Sequence, residues 1–187
     1  MNNIQKTKSI IYSAMFLALG MILPLLTSQI KEIGDSLLPM HLVVMLCGII
    51  CGWDKGLVVG FILPFLRSII FSVPNIYPNA LWMSAELATY GFLIGFLYHK
   101  FFKNQIWWLY SCLVITMIAG RIVWGITKAF LLGLSGKTFT VSAFIVGGFL
   151  DAIPGIIIQL VLVPFIVLII KRKDEKNETG RFSLRKG

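Results

Sequence analysis

Charge is scarce in this chain, and acid is scarcer still. Of 187 residues only 13% are Asp, Glu, Lys or Arg, about half the share found in soluble domains. The acidic residues number 8 against 17 Lys and Arg. Hydrophobic residues reach 57% and mean hydropathy is +0.86. A water-soluble globule of this size has too little interior to hide that much apolar surface. A soluble enzyme and a disordered regulator are therefore excluded, and the solvent for most of the chain is a lipid bilayer. Catalytic patterns are lacking as well, with no H-E-x-x-H, no G-x-S-x-G and no cluster of metal ligands. The loop Gly133 to Thr138 ends like a P-loop, but the glycine that motif requires five positions before Gly136 is Leu131. The three cysteines, Cys47, Cys51 and Cys112, all fall inside apolar runs. Cys47 and Cys51 share one helical face without a histidine or acid beside them, and so read as small packing residues. No enzyme activity, cofactor or metal is expected. No basic stripe with interleaved aromatics is present, so nucleic acid is not an expected partner.

What the chain does have is long apolar runs. Six spans are expected, roughly Ser9–Ile30, Leu38–Trp53, Gly56–Phe71, Ala80–Tyr98, Ile106–Leu132 and Val141–Ile170. Without period-2 alternation they read as transmembrane helices rather than a barrel. The fold class expected is an all-α integral membrane bundle over residues 1–172, followed by a charged tail, 173–187, expected to be frayed. The first run is too long for a signal core and no A-x-A-like site follows it, so it is expected to remain in the mature protein.

Basic residues set the orientation. With the N-terminus inside, Lys6, Lys8, Lys55, Lys100, Lys103 and the Lys171-Arg172-Lys173 cluster gather on one side, against only Lys31 and Lys137 on the other. The positive-inside rule then places both termini in the cytoplasm.

The ionisable residues inside the spans are the candidates for function, because such groups are rare and costly in lipid. Arg67, Glu86, Lys128 and His41 are expected in the outer half, with Arg121 and Asp151 nearer the midplane. None lies deep in the inner half, which describes a polar cup open to the outside rather than a continuous ion pathway. Arg121, Trp124 and Lys128 fall at i, i+3 and i+7 on one helical face, and Trp82, Glu86 and Tyr90 share a face of another. Charge beside flat aromatic surface suits a small polar ring or a carboxylate. The same residues could instead be structural, with Arg67–Glu86 or Arg121–Asp151 as buried bridges and His41 as a packed histidine.

Ala14 and Ala18 lie four apart on the first helix, where small residues let another helix approach closely. Together with six short helices, a basic N-terminus, the stretch Leu38 to Trp53 with its closing glycine, Gly56 to Gly60, and Glu86 to Gly91, this chain resembles the substrate-binding S component of an energy-coupling factor (ECF) vitamin transporter over residues 8–172. That resemblance implies a multi-pass protein of the bacterial plasma membrane that binds a water-soluble vitamin or related micronutrient. It implies that Ala14 and Ala18 touch a transmembrane scaffold subunit, and that two separate ATPase subunits drive uptake. It also implies an outer pocket formed by the later helices and capped by the loop at residues 28–38. Pro24 departs from the pattern and is expected to interrupt the first helix. Pantothenate is favoured by the resemblance and by the slight positive excess of the cup; riboflavin, a pyridoxine-like compound and a queuosine precursor are alternatives. A solitary secondary transporter or channel subunit, or a small intramembrane enzyme, are the competing readings.

Overall fold

In lipid every backbone N–H and C=O must be satisfied within its own segment, so uninterrupted apolar runs become helices. The computed structural model describes residues 3–27, 38–101, 106–136 and 138–184, the last twelve of these by backbone only. The helices are α1 (Asn3–Thr27), α2 (Pro39–Cys51), α3 (Trp53–Phe71), α4 (Leu81–Phe101), α5 (Ile106–Leu134), α6 (Val141–Ile145) and α7 (Ile153–Leu184). No strand occurs among the described residues. The expected lid at residues 28–38 lies outside the described residues except for Leu38, as do Lys31, Lys103 and Lys137.

Among the described residues, four segments are long and apolar enough to cross a membrane: Ile4–Thr27, Ile76–Phe101, Ile106–Leu134 and Val141–Arg172. The other two of the six spans differ from them for identifiable reasons. Helix α3 carries Asp54, Lys55 and Arg67. Helix α2 has 13 residues, about 20 Å at 1.5 Å each, less than the roughly 30 Å hydrocarbon core. Nine of its residues are buried, from Met40 to Ile49. Its neighbours are therefore other helices more than lipid.

Glycine makes this central packing possible. A Cβ at Gly48 or at Gly56 would lie 2.5 Å from the Gly91 carbonyl oxygen, and one at Gly60 would strike the Leu87 backbone. Helices α2 and α3 thus touch α4 backbone to backbone, the close approach that small residues permit in membranes. The hinge between α2 and α3 is Gly52, whose φ of 106° few other residues adopt. It places the helix boundary ahead of Trp53, so that Trp53, Asp54 and Lys55 form the first turn of α3 rather than the end of α2.

One expectation is corrected. Pro24 does not interrupt α1, which runs on through it to Thr27; a proline so close to the end disturbs only the last turn, where the Thr27 hydroxyl donates to the Pro24 carbonyl at 3.3 Å. The sixth span stands as one segment, Val141–Arg172, with a local irregularity inside it. After α6 the backbone widens into a π-helical turn, Val146–Leu150, and bends at Asp151-Ala152 before α7 begins. Pro154 cannot donate to an i−4 carbonyl there, and Gly147-Gly148 lets the Trp124 ring lie against the chain. At its C-terminal end α7 continues past Lys171 to Leu184. No proline follows Pro164, and adding residues to an existing helix needs no new nucleus.

Candidate ligand site

The polar residues of the spans gather at the end of the bundle where α1, α3 and α5 finish and α2 and α4 begin. Glu86, from α4, is at their centre. Its Oε1 lies 2.9 Å from Arg121 Nη1 of α5 and 3.2 Å from His41 Nε2 of α2. All three residues are at most 4% exposed. One carboxylate thus ties three helices together, and its charge answers that of Arg121. Tyr90, one turn further along α4, meets the His41 ring edge-on at 5.0 Å and donates its hydroxyl to the Met117 carbonyl at 3.3 Å. Arg121 pairs with Glu86 and not with Asp151, which is exposed at the bend before α7. Arg67 points elsewhere. It is buried, donates from Nη1 to the Met21 carbonyl at 3.4 Å, and stacks its guanidinium over Phe71 at 5.9 Å.

Lys128 is handled differently. Its ammonium lies 4.4 Å from the centre of the Trp124 ring, 5.2 Å from Trp82 and 5.4 Å from Phe139. Phe144 of α6 stacks behind Trp124 at 6.2 Å. Ring faces, which attract cations through their quadrupole, surround this charge. The shared helical faces expected from spacing are therefore both turned inward, but they serve two centres: Glu86, Tyr90 and Arg121 one, Trp82, Trp124 and Lys128 the other.

Beside the first centre is a cavity of about 420 Å³, within the range of roughly 300–1,000 Å³ usual for small-molecule sites. Its walls are mostly apolar, including Pro24 of α1, Met40 of α2, Phe71 of α3 and Met83 of α4. His41 and Arg67 are the polar side chains that carry ring or guanidinium nitrogen into that lining. Such a recess can hold the aliphatic body of a small solute with an anionic group at Arg67. Spacing alone did not reveal it, since its walls come from four helices. Two further buried polar residues, Thr116 and Gln159, also went unremarked in the sequence; a lone amide inside an apolar run was the available signal for Gln159. Among the described residues no group of three or more potential metal ligands occurs.

On α1, Ser13 and Gly20 face inward while Ala14 and Ala18 are exposed. An α-helical, multi-pass membrane protein with a solute-sized recess and an unpartnered small-residue face is what these features define. The family model of the ECF transporter substrate-specific component matches residues 8–167, and the chain belongs to that family. Members are transporter subunits that bind the substrate, and membership implies association with an ECF scaffold and ATPase modules. No curated protein and no solved structure matches the chain.

Proposed function

We propose that this chain captures an anionic, water-soluble vitamin or related micronutrient from outside a bacterial plasma membrane, with both of its own termini in the cytoplasm, for ATP-driven uptake through an ECF transporter. The observation that carries the reading is the cavity between α1 and α4, with Arg67 and His41 in a mostly apolar wall. Pantothenate suits it: the carboxylate would face the Arg67 guanidinium, and the branched aliphatic part the methionines and prolines. A transmembrane scaffold subunit would dock on the exposed Ala14 and Ala18 of α1, and two ATPase subunits would drive reorientation of the domain. Capture itself forms and breaks no covalent bond. Glu86, Tyr90 and Arg121 would form the rear support of the site. Lys128, Trp82 and Trp124 would lie alongside it, and Asp151 at the bend before α7.

The test is isothermal titration of the purified protein with pantothenate. Arg67→Met should weaken binding about ten- to a hundredfold, as expected for one charge-assisted contact in a desolvated site. Unchanged affinity in a folded Arg67→Met variant removes the cavity as the site. Native mass spectrometry of the wild type should show a retained acid; a retained base contradicts the charge argument.

A further inference from the structure

Among the described residues two lysines rest on aromatic rings, and they differ in how those rings are supplied. Lys100 lies over Phe96 and Phe101 at 5.1 and 5.4 Å, both on its own helix. Lys128 draws its rings from three places. Trp82 of α4, Trp124 of α5 and Phe139 ahead of α6 lie 5.2, 4.4 and 5.4 Å from its ammonium, inside the roughly 6 Å over which a ring face attracts a cation. The box is also braced without the lysine. Trp124 stacks on Phe144 at 6.2 Å, meets Phe139 edge-on at 6.0 Å, and lies against Gly147, where a Cβ would come within 3.3 Å of its ring. Lys128, Trp82 and Phe139 are each partly exposed, so the box is not sealed. Among the described residues the ion pairs are His41–Glu86, Arg121–Glu86 and Lys55–Asp54, and none takes in Lys128. A carboxylate beside this ammonium would stand against ring faces whose negative quadrupole repels it. The arrangement fits a cation, and the chain fills it with its own.

We propose that Trp82, Trp124 and Phe139 form a cation-binding box that Lys128 occupies as a built-in ligand, which makes Lys128 a specificity-determining residue that keeps organic cations out. Rings set about one ammonium suit another, above all a quaternary ammonium, the group that aromatic cages recognise. Lys128 denies the box to such a solute in two ways: its side chain fills the space, and its charge repels a second cation. Trp82 is next in sequence to Met83, which lines the cavity that also holds Arg67, so box and cavity are anchored on the same turn of α4. The inference rests on the reading of that cavity as a site for an anionic solute. It goes further by naming the class that is turned away, small alkylammonium compounds, and the residue that turns it away.

The test is isothermal titration of the full chain in detergent with choline as probe. Lys128→Ala and Lys128→Ser should each bind choline about tenfold or more tightly than the wild type. Both should also prefer choline to its neutral isostere, in which carbon replaces the quaternary nitrogen. Adding Trp124→Leu to Lys128→Ala should remove the gain. Choline affinity unchanged from the wild type in both variants, absence of binding included, overturns the proposal. Equal binding of choline and the isostere overturns it too, because the variants have then gained space and not a cation site. Loss of the folded protein in both variants also overturns it, by making Lys128 a structural tie between helices. Pantothenate enters none of these titrations. Its failure to bind the wild type rejects that substrate, while the choline titrations still decide whether the lysine guards the box.

Discussion

Two charges at the same end of this bundle are kept out of lipid in two ways. Arg121 is 4% exposed and set against Glu86, while Lys128 is half-buried and surrounded by the faces of Trp82, Trp124 and Phe139. The first arrangement neutralises charge with charge, joins three helices, and leaves little freedom to any member. The second lowers the energy of a cation without cancelling it. A buried carboxylate–guanidinium pair becomes costly when halved, because the survivor is left charged in a low-dielectric interior. A cation over aromatic rings leaves only apolar surface behind when it is removed. Burial of a charge therefore says little about its role until the kind of partner is known.

The comparison can be broken most directly at Glu86. Glu86→Leu should destabilise the protein by about 3–5 kcal/mol, because Arg121 stays buried without its partner; denaturant unfolding in detergent reads the change. A double variant, Glu86→Leu with Arg121→Met, should recover much of that loss. Gly91→Ala tests the backbone contact on which the first centre is mounted. Its methyl would collide with the Gly56 backbone, and overpacking of this kind commonly costs about 1–3 kcal/mol. No loss would mean that α3 and α4 can move apart freely. Lys128→Met should change stability by less than about 1 kcal/mol, and pantothenate affinity by under about threefold. A fall as large as that of Arg67→Met would shift the ligand from the cavity to the aromatic box. Smallest in its effect on folding is Ala18→Trp, since Ala18 is exposed. Stability and pantothenate affinity should stay within error of the wild type, while co-purification with the scaffold and uptake are lost. Normal uptake would remove the proposed docking face.

How far the site was legible in the sequence differs from residue to residue. Arg67, Glu86, Arg121 and His41 stand out by being ionisable within apolar runs, and all four are buried. Their pairing did not stand out. Arg121 has Glu86 rather than Asp151, because helix rotation and height decide which groups meet, and spacing along one helix carries neither. Asp151 shows the same limit from the other side, since its place ten residues into the span does not say which way it faces, and it is exposed.

The sequence by itself determined the solvent, the helical class and the inventory of costly groups, because hydropathy and residue type act locally and need no knowledge of neighbours. It also marked Gly48, Gly56, Gly60 and Gly91 as places without side chains. Only the tertiary structure decided that those glycines face one another, and with them the depth of α2 in the bundle, the partner of each charge and the cavity beside His41. Each of these depends on how several helices are turned about their axes, and backbone contact at the glycines is what holds that rotation in place.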